Sequence, residues 1–319
     1  MNCVICNNDS NNQIFTVKEL QLGLGEEFHY QLCSNCGSMQ LIDPPDDFSR
    51  YYPNEDYYSF KMEMRTLEKP GYLRKAQASY LLFNKNKLVG SLLSIGYKIP
   101  EFYDWMKNTK AKPGDAILDV GCGNGSLLTR LYKMGFTNLT GIDPFLNEDH
   151  DYGNIKIYKK EIYDLTQNFD IIMMHHSLEH MFEPLKALQK AWSSLNNDGH
   201  LLVRIPIMGN YGWHKYQTYW CGIDAPRHIF IPSEKGMNIL AEKAGFSIEK
   251  TEYDSSDYVI WSSEQYLKGI PLHHPNSRMV NRKSDLFTKK EIEQFKKEIR
   301  DANQKKFGDT AAFYLTKKI

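Results

Sequence analysis

Ile117-Leu118-Asp119-Val120-Gly121-Cys122-Gly123-Asn124-Gly125, with Gly141-Ile142-Asp143-Pro144 after it, decides the fold of this 319-residue chain. Ala116–Val120 is a short apolar run of the kind that fills a buried strand. Glycines follow at alternate positions, and Ser126–Met134 then keeps helical spacing until Gly135 stops it. Strand, glycine turn and helix open a βαβ unit. The alternation continues outward. Strands are expected at Asn138–Ile142, Ile155–Tyr158, Phe169–Met174, His200–Ile205, Ser247–Tyr253 and Ala312–Thr316. Helices are expected over Leu185–Leu195, ended at Asp198-Gly199, and from the cap Ser233 to Gly245. The class is α/β, with a Rossmann-like sheet of seven strands whose last two pair antiparallel.

Ligands of open α/β sheets sit at the carboxyl ends of the strands, where the glycine loop falls. Asp119 stands two residues before Gly121. A carboxylate there repels a pyrophosphate and favours a cation. The spacing G-x-G-x-G also differs from the G-x-G-x-x-G of dinucleotide folds. Both details point to S-adenosylmethionine (SAM), with its ammonium and sulfonium. Asp143, 20 residues after Gly123, is placed to accept ribose hydroxyls. Glu161 is expected at the adenine edge, with Ile162 as an apolar wall. Cys122 and Pro144 flank the same contacts.

Upstream, Cys3-x-x-Cys6 and Cys33-x-x-Cys36 form two knuckles separated by 26 residues. Two knuckles complete the four-thiolate shell of a structural zinc ion. Strand-like Gln13–Val17 and Phe28–Leu32 would bring them together. Residues 1–43 therefore read as a zinc ribbon. Residues 44–110 read as an aromatic loop, with Tyr57 and Tyr58, and a helical lid or collar. Residues 111–319 carry the main domain, with a helical insert at about 257–309.

Charge is balanced, 39 basic against 39 acidic residues. No global field draws in nucleic acid or a membrane surface. No apolar run reaches the roughly 18 residues of a membrane span. The expectation is a cytoplasmic protein with a small-molecule or glycan acceptor, no nucleic acid and no membrane insertion. The oligomeric state stays open.

Residues 115–205 resemble class I SAM-dependent methyltransferases. Besides the two motifs above, Phe169-Asp170-Ile171-Ile172 leads to His176-Ser177-Leu178-Glu179-His180-Met181-Phe182-Glu183-Pro184, similar to the LEH-x-x-x-P element of that family. The whole chain is similar to a bacterial subgroup with an N-terminal four-cysteine zinc segment that often acts on sugars or surface glycans. Tyr57-Tyr58 and Asp224-Ala225-Pro226-Arg227-His228 resemble it too. The resemblance implies the seven-stranded methyltransferase sheet, places Asp119, Gly121, Gly123, Asp143, Glu161 and His175 on SAM-contacting positions, and implies a role in polysaccharide biosynthesis. Deoxysugar C-methyltransferases of the subgroup carry a further C-terminal domain and a Tyr/His element not found here, which favours a hydroxyl acceptor over carbon methylation.

A hydroxyl needs a base near neutral pH, and histidine suits the task. His228 is the first choice as base or acceptor contact, then His176; His180 lies beside them, in a pair with Glu179 that can equally be structural. Tyr57, Tyr58, Tyr211 and His214 are candidate acceptor contacts. Arg227 either holds a phosphate or carboxylate of the acceptor or forms a salt bridge that orients its loop. An NAD-dependent oxidoreductase and a non-catalytic zinc-ribbon binding module are the competing classes. The intact Asp119, Gly121, Gly123 and Asp143 set disfavours both.

Overall fold

The computed structural model describes residues 1–52 and 70–318. Tyr57 and Tyr58 lie outside the described residues. In chain order the elements are β1 (Gln13–Lys18), β2 (Glu27–Leu32), β3 (Met39–Leu41), α1 (Tyr72–Phe83), α2 (Lys87–Leu93) and α3 (Phe102–Asn108). Then come β4 (Ala116–Val120), α4 (Ser126–Met134), β5 (Asn138–Ile142), β6 (His150–Asp151), β7 (Ile155–Tyr158) and β8 (Phe169–His175). They are followed by α5 (Pro184–Ser194), β9 (Leu195–Pro206), α6 (Tyr211–Tyr216), β10 (Phe230–Ile231) and α7 (Glu234–Lys243). The chain closes with β11 (Phe246–Tyr253), α8 (Tyr258–Leu267), α9 (Lys289–Gln304) and β12 (Thr310–Lys317).

The large sheet runs β11-β12-β9-β8-β4-β5-β7-β6. The seven expected strands are all in it. The two-residue β6 adds an antiparallel edge beside β7. β7, β5, β4, β8 and β9 are mutually parallel, and β12 enters antiparallel between β9 and β11. Strand order reverses at β4, with β5 on one side and β8 on the other. The glycine loop thus leaves the sheet at its switch point.

Strand periodicity explains the layers. Ile117, Ile171 and Met173 point to one face and pack with α1, α3 and α4 residues such as Ala78, Met106 and Leu131. Their neighbours Leu118, Ile172 and Met174 point to the other, against Leu188 and Ala191 of α5 and Met237 and Leu240 of α7. Ser233 caps α7 as expected: its hydroxyl accepts the Gly236 amide at 2.9 Å. One boundary differs. β9 begins at Leu195 and runs through Asp198-Gly199. Leu195 already pairs with Phe169, so sheet pairing overrides the turn chemistry of that dipeptide.

A second sheet runs β1-β2-β3-β10. Its first three strands come from the cysteine-bearing segment, and β10 comes from the stretch after β9. Phe230 pairs with Gln40, and Ile231 with Met39. Among the described residues, no helix is long and apolar enough to cross a membrane.

Candidate functional site

A cavity of about 970 Å³ opens at the carboxyl ends of β4, β5, β8 and β9. That is the upper end of the range for small-molecule sites. One half is lined by Gly121, Gly123, Asp143, Pro144, Glu161 and Ile162. The other half is lined by His175, His176, His180, Arg204, Asp224 and His228. Gln21 and Tyr52 from the N-terminal segment and Tyr258 of α8 complete the wall.

The glycine half is built by the backbone. The amides of Gly121 and Cys122 donate to Ile142 O at 2.8 and 3.1 Å. The Asp143 carboxylate then ties the two loops: its oxygens accept the Gly123 amide at 3.0 Å and the Phe145 amide at 2.9 Å. Gly121 has φ +74°, and a Cβ there would fall 2.6 Å from Ser177 Cβ. Only glycine fits that turn. Burial raises the carboxyl of Asp143 above its ordinary value, against the pull of its two amide donors. Burial, and then the charge of Asp143, push Asp119 up to about 7.

Two of the expected cofactor contacts sit beneath the cavity rather than on its wall. Asp119 is 3% exposed and is the penultimate residue of β4, inside the sheet. Cys122 turns its thiol down toward β5, where a Cβ on Gly141 would lie 2.6 Å from the sulfur. The loop backbone faces the cavity, and the side chain fills the space under it.

The histidine half divides the candidates. His175 lines the cavity, with its ring 4.3 Å from that of Trp105 and both nitrogens buried without a partner. Burial holds it well below the usual histidine range, so it is neutral. His176 is φ +49° at the end of β8, and both its nitrogens are engaged. Arg204 Nη1 donates to Nε2 at 2.5 Å, and Nδ1 donates to Glu179 at 3.2 Å. A ring whose lone pair already accepts from a guanidinium has none for a substrate proton, which corrects the expectation of His176 as a base. His180 and His228 keep a free Nε2. Their Nδ1–H groups donate to Arg227 O at 2.8 Å and Gly222 O at 2.9 Å. Their rings lie 4.8 Å apart, edge to face. Asp224 and Glu179 carboxylates stand 3.7 and 4.0 Å from His228 Nε2.

Three expected acceptor contacts are corrected. Arg227 is 1% exposed, and its guanidinium is spent inside the protein. It pairs with Asp224 at 2.5 and 3.0 Å, donates to Tyr51 O at 3.0 Å and faces Glu19 at 3.7 Å. It is the loop-orienting salt bridge, and it clamps the histidine loop to the N-terminal segment. Tyr211 and His214 sit on α6, outside the cavity wall. The Tyr211 hydroxyl donates to Glu298 at 2.6 Å, and the His214 ring packs 5.5 Å from Phe307. Other wall residues carried no local motif. Arg204 is one of twelve residues of a plain strand. Tyr52 is placed only by the tertiary fold, which stacks it 5.5 Å from Phe145 and sets its hydroxyl 3.2 Å from His180 Nδ1.

At the far end of the N-terminal segment, Cys3, Cys6, Cys33 and Cys36 bring four sulfurs within 4.8 Å of one another. Cys3, Cys33 and Cys36 pack in the same core as Phe230 and Met237 of the main domain. Such a donor set is compatible with a tetrahedral ion.

A family model described as a methyltransferase domain matches residues 102–251, just under half of the chain. Among curated proteins, a tRNA U34 carboxymethyltransferase of Campylobacter hominis is 30% identical, over 32% of this chain and 42% of its own. The mitochondrial ubiquinone biosynthesis O-methyltransferase of Saccharomyces cerevisiae is 33% identical, over 30% and 34%. The chain thus spans less than half the length of either relative. Among solved structures, a cyclopropane synthase from Mycobacterium tuberculosis is 15% identical over 78% of this chain and 99% of its own, with a TM-score of 0.46. The tRNA in the first relative's name belongs to that protein. The matched domain and the names of the curated relatives support a SAM-dependent methyltransferase.

Proposed function

We propose that this chain transfers a methyl group from SAM to a hydroxyl of a sugar or glycan intermediate, with His228 as general base. One observation carries the reading: a single cavity joins the Asp143-bound glycine loop to two histidines whose Nε2 atoms are free to accept a proton.

The residues present fit SAM. Gly121 and Gly123 allow close backbone approach, and Asp143 has lone pairs left for ribose hydroxyls. Glu161 and Ile162 on the same wall would take the adenine, and Asp119, buried beneath the loop, would act on a bound cation only as a nearby charge. Bound there, SAM supplies a methyl carbon already activated by its sulfonium. The protein's task is then alignment and proton removal, and alignment alone accounts for about 7–11 kcal/mol of barrier in favourable cases. His228 is held in one tautomer by Gly222 O. The carboxylates of Asp224 and Glu179 stabilise the imidazolium that forms when it takes the hydroxyl proton.

Gly121→Ala tests the cradle. The new methyl group meets Ser177, and the left-handed backbone costs a further ~1–2 kcal/mol. Calorimetry should find SAM affinity reduced by about tenfold or more; unaltered affinity would remove the loop from the site. The direct test of acceptor class is labelled SAM with a panel of nucleotide sugars, glycan extracts and unmodified tRNA. Label in the sugar or glycan fraction is the expected result, and label in the tRNA alone would overturn it.

The four cysteines are proposed to hold a structural zinc ion; a closed four-thiolate shell leaves no open position for chemistry. Stripping it with a chelator, from protein that carries this ion alone, should lower the melting temperature and slow transfer, because Gln21 and Tyr52 of the same segment line the cavity. SAM affinity should hold, since the glycine loop is built from β4 and β5. Loss of SAM affinity on chelation would contradict this division.

A further inference from the structure

Glu179 lies behind the cavity wall, and facing His228 through Oε1 leaves its other carboxylate oxygen unexplained by methyl transfer. Its side chain is fully buried, its Oε1 accepts from His176, and its Oε2 has no hydrogen-bond partner. A buried carboxylate oxygen without a donor is costly. The groups beside it do not supply one. His228 donates from Nδ1 to Gly222 O, so the Nε2 that stands 4.0 Å from Glu179 carries a lone pair. His180 donates from Nδ1 to Arg227 O, and its Nε2 is equally bare. Asp224, also near His228, is already committed to Arg227 by two hydrogen bonds.

One ligand atom from each of Glu179, His180 and His228 lies within 4.8 Å of the other two. Two imidazoles and a carboxylate form a donor set suited to zinc and its neighbours in the transition series. The backbone carbonyls on the opposite ring nitrogens are the usual outer-shell partners of metal-binding histidines, fixing tautomer and ring angle. Both histidines line the cavity, so a further ligand has room to approach.

We propose that Glu179, His180 and His228 form a divalent transition-metal site in the acceptor half of the cavity, separate from the four cysteines, and that an ion there regulates transfer. The binding stands on the geometry alone. The regulatory half rests on His228 as base, because ion and proton compete for one lone pair. The metal-loaded and proton-accepting states are alternatives.

The test uses the full chain with Zn²⁺ or Co²⁺ as the only added metal, and counts bound ions after equilibrium dialysis. Wild type should hold two equivalents. The cobalt form should show an intense near-ultraviolet thiolate band from one ion and only weak visible bands from the other. Glu179→Gln, close to it in size, should hold one equivalent with the thiolate band intact. His180→Asn should do the same, which guards against a folding defect peculiar to one variant. A wild-type chain holding one thiolate-bound ion, or both variants retaining two, overturns the site. Zinc should also slow methyl transfer by wild type without changing SAM affinity. Two bound ions with transfer unaffected by zinc would overturn the regulation and leave the site standing. Absence of transfer at every metal load would count against the base reading, and the ion count would still decide the site.

Discussion

Asp143→Ala is expected to weaken SAM binding by about 10²- to 10⁴-fold. The estimate is two lost hydrogen bonds to a charged group, at about 1.5–3 kcal/mol each, with about 1.4 kcal/mol per tenfold. The effect is large because Asp143 has two jobs. In the proposed reading it accepts the ribose hydroxyls, and it already holds the glycine loop against the start of the next loop through the amides of Gly123 and Phe145. Removing it loosens the cradle as well as the contact. Asp143→Asn keeps one oxygen as acceptor and should fall between the two. Calorimetric titration with SAM reads both variants, and an unchanged dissociation constant in Asp143→Ala would sink the site assignment.

His228→Ala carries the second large effect. General-base catalysis is worth about 10²–10⁴ in rate, and kcat should fall by that factor. SAM affinity should stay as in wild type, because His228 lines the other half of the cavity. A melting curve guards against the trivial explanation, since the His228 carbonyl accepts the buried Tyr30 hydroxyl through backbone that alanine preserves. A rate within twofold of wild type would remove His228 from the base role. His176→Ala should behave differently. That ring bridges Arg204 and Glu179, so its loss removes the donor of a buried carboxylate and costs stability of about 1–3 kcal/mol.

The main sheet was legible because its evidence is local. The central strands β4 and β8 announce themselves as apolar runs, and β7 by its alternation. Ser233 and Gly135 are read correctly from capping chemistry that acts within one turn. The glycine loop belongs to the same class of signal. The acceptor half was only partly legible. Histidine content pointed to loops that line the cavity, but the hydrogen bonds of His176 and His180 come from Arg204 and Arg227, 28 and 47 residues away; only the Gly222 carbonyl on His228 is local. Arg227 shows the limit best. Its residue type fits an anion contact or a salt bridge equally well. Only the arrival of Glu19 and Tyr51 from the N-terminal segment settles the matter. Tyr52 belongs to the aromatic loop read from the sequence, but its partners Phe145 and His180 lie far along the chain, and Tyr211 and His214 fall on a short helix outside the wall that their aromatic run does not reveal.

The pairing of β3 with β10 has a consequence for how the molecule comes to be made. Tyr30 and His228 meet 198 positions apart, and the small sheet lacks its last strand until β10 exists. Contacts so distant in sequence form slowly, because the loop-closure entropy must be met before they contribute. On the ribosome, β1, β2 and β3 emerge first and wait with β3 as a bare edge, the kind of edge other chains add to. The chain is therefore most exposed to aggregation midway through synthesis, and the histidine loop takes its working shape only when that edge is closed. Activity would then be the last property the molecule acquires, after the donor cradle has already formed.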